Sequence, residues 1–323
     1  MGIDRSIDIT EFESSDDYWK FDQFIKNKSR FVLDNQQRRF VDVVLATSRN
    51  RSIQLPNGRL LWRAHLGHTT WRTVPTEQGE SYEIPEPALT NFMTPWKDRA
   101  FEGRVNPKGI PCLYLAKEKD TAMTEVRPWI GSYVTVAQFK VVRDLKLVDC
   151  RGDLDPPKIY FCRKTEEDAE ERERNVWFHI NQAFSTPVTR TDDVADYAPT
   201  QVLAEAFKSN GFDGMAYGSM LGKGKGINIA LFDLSAAEIV RTQLYQVEEV
   251  NLKFSADPEE HYHSKESPIP VEVLLNPRSA EFINNKLKDG TYSETVLLAA
   301  LQRSEHDKAN SAIETEPLSG KLV

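Results

Sequence analysis

The stretch GRVNPKGIPCLYLAKEKDTAMTEVR, residues 103–127, limits what this chain can fold into more than any other part of it. Gly103, Pro107, Gly109 and Pro111 punctuate its first part as a loop. The apolar run from Cys112 to Ala116 then reads as a buried strand. A polar turn follows, with Asp120 placed to cap a short helix over 121–126 that Pro128 ends. One loop–strand–turn–helix unit thus delivers Arg104, Asn106, Tyr114 and Glu125 together. Such a set suits an anionic ligand that must also ionise at a sugar carbon. Each residue also has an ordinary reading: Tyr114 as core, Glu125 as a solvated helix residue, Arg104 as a loop cation.

At 323 residues the chain has room for one large domain or two smaller ones. A formal net charge of −8 argues against nucleic acid as the main partner, because phosphate binding needs a basic surface; a local basic pocket is still compatible. Cys112, Cys150 and Cys162 are odd in number and lack CxxC spacing, which indicates neither a disulfide framework nor a zinc site. No apolar run approaches the roughly 20 residues that span a bilayer. The acidic N-terminal stretch has no apolar centre, so a signal peptide is not expected and a reducing cytoplasm is.

Residues 14–49 read as helical, capped by Ser14 or Ser15. Their apolar face runs through Trp19, Phe24, Phe31, Phe40, Val44 and Leu45 and is expected to be docked. After the turn signal at Pro56, Asn57 and Gly58, alternation over 59–66 puts Leu60, Trp62 and Ala64 on one face and Leu61, Arg63 and His65 on the other. An arginine inside so apolar a strand is either ligand-facing or in a structural ion pair. Residues 67–102, with Pro75, Pro85, Pro87 and Pro95, read as a long excursion or lid. Strands are expected over 132–142 and 145–150.

The charge run at 166–174 opens a helix that continues through Phe184, and Pro199 and Gly211 bracket another. Short strands are expected at 212–217 and 228–232, and extended chain from 238 with Val240, Leu244 and Val247 inward. From about 255 prolines and charges read as a linker, followed by two short helices at 277–303 and a disordered tail.

Several tempting sites fail on spacing. The glycine-rich loop at 222–226 lacks a Gly-Lys-Ser/Thr ending and precedes a strand, unlike a P-loop. His65 with His68, and His261 with His263, have no third ligand, so no metal is expected. No Gly-x-Ser-x-Gly elbow is present.

Taken together, LWRA at 61–64, the GRVNPKGIPCLYLA and TAMTEVR runs, YAPTQVLAE at 197–205 and DGMAYGS at 213–219 resemble the RES-domain family over about residues 55–250. The resemblance implies an α+β fold with central mixed β-sheets like those of ADP-ribosyltransferases, flanked by helices. It divides the chain into an N-terminal helical extension (1–54), the RES domain (55–254) and a C-terminal extension (255–323). It implies a toxin that consumes NAD+ as substrate by phosphorolysis, with inorganic phosphate as co-substrate, or by hydrolysis or ADP-ribosyl transfer; a non-catalytic NAD-binding module is the alternative from another class. The family's arginine maps to Arg63, its tyrosine to Tyr114, its glutamate to Glu125 and its serine to Ser219, with Arg104, Asn106 and Asn228 as further NAD+-binding residues. The implied partner is an Xre-like helix-turn-helix antitoxin; the apolar residues at 277–303 suit that contact or self-association as a homodimer.

These residue types fit the chemistry. Nicotinamide leaves the ribose through an oxocarbenium-like transition state, which a carboxylate at Glu125 would stabilise while holding the 2′-hydroxyl. Tyr114 would stack on the nicotinamide ring, Arg63 and Arg104 would clamp the pyrophosphate, and Ser219 would orient the ribose or carboxamide. The leaving group departs neutral, so the chemistry calls for no metal.

Overall fold

The computed structural model describes residues 11–96, 99–151, 167–186, 194–221 and 226–252. Cys162, residues 222–225 of the glycine-rich loop, His261, His263 and the extension 255–323 lie outside them. The chain opens with two helices, α1 (Asp17–Asn27) and α2 (Asn35–Ser48), where one continuous apolar face was expected. Asp34 starts a new helix by accepting a hydrogen bond from the Gln37 N–H, so the chain turns between the two. Phe31 falls in that turn and is 97% exposed rather than docked, whereas Phe21, Ile25, Phe40 and Val44 are buried.

The remaining elements are β1 (Ser52–Leu55), β2 (Leu60–Leu66), β3 (Thr70–Pro75), β4 (Ser81–Glu86), β5 (Leu113–Ala116), α3 (Lys119–Glu125), β6 (Tyr133–Val141), β7 (Leu145–Asp149), α4 (Ala169–Ser185), α5 (Ala198–Ser209), β8 (Gly214–Ser219), β9 (Gly226–Leu231) and β10 (Ala237–Gln246). The class is α+β, as expected. Within residues 67–102 the structure shows an ordered hairpin: β3 and β4 pair as their own two-stranded sheet. The chain then returns to the core at Ala88 and Met93. Thr135 on β6 pins its base, donating to the Gly67 carbonyl and accepting from the Ala88 N–H.

The other eight strands form one mixed sheet in the order β1-β7-β8-β9-β5-β2-β6-β10. That order cannot be flat. Strands β6 and β7 are joined by only residues 142–144, yet they stand five places apart. Five strand spacings span about 24 Å, and so short a connection reaches about 14 Å at most. The sheet therefore curls until its two ends approach, as the similarly short link of residues 56–59 between β1 and β2, also five places apart, requires.

Alternation sorts the curled sheet into two cores. Leu113, Leu115, Leu147, Ala216, Ile229 and Leu231 join Leu61, Phe139 and Val141 on one side. Cys112, Val148, Met215, Tyr217 and Ala230 face the helices, where Phe21, Ile25, Phe40, Val44, Trp177, Phe184 and Phe207 pack. Helices α1 and α2 thus share a core with the sheet, and β1 is already part of it, so packing shows no division at residue 54.

Two local expectations are corrected. Helix α3 begins two residues early, with Glu118 at the cap position and Asp120 in its first turn, where its charge still suits the dipole. Val240 is exposed rather than inward: the ladder to β6 passes from Ile239↔Phe139 to Arg241↔Gln138, leaving Val240 as the extra residue of a bulge. Among the described residues no helix is long and apolar enough to cross a membrane.

Candidate active site

Strands β2 and β5 touch at a single register pair, Trp62↔Ala116, and the sheet is open beside it. A cavity of about 280 Å³ occupies this opening. Its floor is one cross-strand row: Tyr217 on β8 stands opposite Asn228 on β9, Asn228 opposite Ala116 on β5, and Ala116 opposite Trp62 on β2. Side chains in such a row share a face. Tyr114, two residues from Ala116, shares that face as well.

Helix α3 covers one end of the floor. It approaches β9 so closely that a Cβ on Gly226 would lie 2.5 Å from Thr121 Oγ1, so glycine is required there. This contact sets Glu125 above Ser219 and Asn228. Ser219 Oγ donates to Glu125 Oε1 at 2.7 Å, and Asn228 Nδ2 donates to the same oxygen at 2.6 Å. Among the described residues Oε2 accepts nothing and no cation pairs with the carboxylate. A carboxylate in the last turn of a helix faces the negative end of the dipole, an effect of about 0.3–1 kcal/mol. Two hydrogen bonds to a charged acceptor, each worth about 1.5–3 kcal/mol, outweigh it.

Arg63 forms the opposite wall, one residue past the only β2–β5 bridge. Its Nη1 donates to the Tyr114 carbonyl at 3.1 Å, while its buried Nε has no partner. Among the described residues no carboxylate pairs with it, which removes the ion-pair reading. Burial lowers its pKa, so the protein provides little to compensate the guanidinium charge. The nearby His65 is also lowered, by burial and then by Arg63. Arg104 lines the cavity too, with Nη1 donating to the carbonyls of Phe184 and Ser185 in the last turn of α4.

The loop that carries Arg104 is fastened from beneath. Tyr114 Oη donates to Asn106 Oδ1 at 2.7 Å and accepts from the Val105 N–H at 3.0 Å. Asn106 Nδ2 donates to the carbonyls of Phe101, Pro107 and Ile110. Gly103 must be glycine for this packing, since a Cβ would meet Tyr114 Oη at 2.6 Å. Burial pushes the Tyr114 hydroxyl pKa well up, and the Cys112 thiol beside it up to about 12.

Set against the sequence, Arg63, Arg104, Tyr114, Glu125 and Asn228 come together around one cavity, and Ser219 stands behind Glu125. Asn106, expected to touch the ligand, does not line the cavity, because its amide is fully engaged in holding the loop. Ser219, expected to orient the ribose or carboxamide, donates to Glu125 and accepts from the Leu221 N–H. None of the described residues of 67–102 lines the cavity, so the excursion is not a lid over it here.

Gln201 was missed: its Nε2 donates to the carbonyls of Gly103 and Asn106 and clamps the same loop. Trp62 and Tyr217 were also given no role, although the period-two pattern of DGMAYGS places Tyr217 on the face of Ser219. Among the described residues no group of three His, Cys, Asp or Glu side chains could hold a metal ion.

Comparison with known proteins gives one family and a loose structural likeness. A family model described as RES domain matches residues 60–255. No curated protein matches this chain. Among solved structures the chain is similar to one titled the crystal structure of the M. tuberculosis MbcT–MbcA toxin–antitoxin complex. That match has 14% identity and a TM-score of 0.33, and it covers 63% of this chain and 92% of that one.

Proposed function

The chain belongs to the RES domain family, and from that premise we propose that it cleaves the nicotinamide N-glycosidic bond of NAD+. One observation carries the reading: the Glu125 carboxylate has Oε1 fixed by two donors and Oε2 open. In the proposed complex Oε2 accepts the 2′-hydroxyl of the nicotinamide ribose, and the negative charge stabilises the oxocarbenium-like transition state. The C1′–N bond breaks with its electron pair going to nicotinamide, which leaves neutral. An oxygen acceptor then bonds to C1′ and gives up its proton. Arg63, charged and with a buried unpaired Nε, pairs with the pyrophosphate, assisted by Arg104. Tyr114 offers a ring face to the nicotinamide. At about 280 Å³ the cavity suits the nicotinamide riboside end, the rest of the dinucleotide lying along its open side.

In the cell this reaction makes the chain a toxin that depletes NAD+ in the cytoplasm. Its proposed partner is an Xre-like helix-turn-helix antitoxin that blocks the pocket. The test is to incubate the purified protein with NAD+, with and without inorganic phosphate, and follow nicotinamide release. ADP-ribose 1″-phosphate as product selects a phosphorylase, free ADP-ribose a glycohydrolase, and labelled protein a transferase. No nicotinamide release under any condition refutes the reading. A helix-turn-helix protein in the neighbouring reading frame that suppresses the release on co-expression supports the partner.

A further inference from the structure

Two tyrosines line the cavity, and their hydroxyls are used differently. Tyr114 Oη is engaged twice within the protein, as donor to Asn106 and acceptor from Val105. Its ring can face a ligand, but its hydroxyl is a fastening for the loop. Tyr217 is only 4% exposed, and its ring packs against Phe184 with centroids 6.0 Å apart. Its hydroxyl has no hydrogen-bond partner among the described residues. Nor is that oxygen among the fully enclosed unpaired atoms, so it opens onto the cavity. A phenol held this deep without a partner calls for a polar group from a ligand to complete it.

Its place in the floor row says which part of the ligand. Tyr217 stands directly opposite Asn228, the residue that holds Glu125 Oε1. We propose that Tyr217, not Tyr114, supplies the phenol that hydrogen-bonds NAD+, donating to an oxygen of the nicotinamide ribose beside the Glu125 carboxylate. The inference rests on the NAD+ reading above. Burial pushes the Tyr217 pKa up, opposed by Arg104 and assisted by Glu125, which keeps the hydroxyl protonated and a donor at neutral pH. Replacing it with phenylalanine removes one oxygen that bonds nothing in the protein and leaves the packing on Phe184 intact.

The experiment compares Tyr217→Phe, Tyr114→Phe and the unsubstituted full chain by nicotinamide release, NAD+ binding and thermal melting. For Tyr217→Phe the expected result is a roughly tenfold fall in kcat/KM, the loss of about one hydrogen bond, with Tm unchanged. For Tyr114→Phe it is a fall in Tm of several degrees, because the Val105 N–H and Asn106 Oδ1 lose their partner. Wild-type kcat/KM in Tyr217→Phe, while the unsubstituted chain turns over NAD+, overturns the inference and leaves the NAD+ reading standing. So does a Tyr217→Phe defect accompanied by a matching drop in Tm, which would mark the phenol as structural. An unsubstituted chain that neither binds nor cleaves NAD+ removes the reading and the inference with it.

Discussion

The two walls of the cavity are built on opposite principles. At the Glu125 corner the protein meets the charge itself: Ser219 and Asn228, from two adjacent strands, both donate to one carboxylate oxygen. On the Arg63 wall it does not. A half-buried guanidinium has one backbone acceptor, an enclosed and unpaired Nε and no carboxylate among the described residues. A group that protein donors hold in place before the ligand arrives is preorganised, and its contribution belongs to the transition state. A group left incomplete gains its partner from the ligand, and its contribution belongs to binding. The difference assigns kcat to one wall and KM to the other.

The largest expected effect tests the preorganised wall. Glu125→Gln keeps the shape but not the charge and should lower kcat by about 10²–10³-fold with KM little changed, measured as steady-state nicotinamide release. Full activity in that variant would separate Glu125 from the chemistry. Arg63→Lys tests the other wall. Losing a planar, multidentate donor should lower kcat/KM by about 10–100-fold, mostly through KM. A pure kcat effect would reverse the assignment of the two walls.

Ser219→Ala sharpens the comparison further. Removing one of two donors to Oε1 should cost about tenfold in kcat, and the double change with Asn228→Ala should fall short of the product of the single effects, since both act through one carboxylate. Additive losses would mean that the two residues meet the ligand separately. The smallest effect is expected from shortening the β3–β4 hairpin: nicotinamide release should stay within about twofold, because none of its residues reaches the cavity. A large loss would show that the hairpin closes over the site when NAD+ is bound.

Much of the architecture was legible where periodicity and punctuation agree. The β-branched alternation over 132–142 is β6, and the charge run followed by Val176, Trp177 and Ile180 is α4. Pro199 and Gly211 bracket α5, with Gly211 at a φ of +84° that favours glycine. Misplaced residues fall where a neighbour overrides the local pattern. Phe31 fits a helical stripe, but Asp34 restarts the helix; Val240 fits a strand, but a bulge against β6 turns it out. The hairpin at 67–102 was hidden by its prolines, which read as loop although Pro75 and Pro85 sit within a two-stranded sheet with no third strand to demand their missing N–H groups.

The motifs that resemble one family implied the α+β class and the residues that converge on one site, Arg63, Arg104, Tyr114, Glu125 and Ser219; by itself the sequence determined most of the elements. It could do so because those signals are local, set by side-chain period and backbone preference. Only the tertiary structure decided which atoms meet. The curl of the sheet opens β2 from β5, lays α3 on Gly226, and thereby gives Glu125 its two donors while leaving Arg63 and Tyr217 facing the cavity. Those outcomes depend on contacts between segments about 100 residues apart, and no pattern within a single strand or helix encodes them.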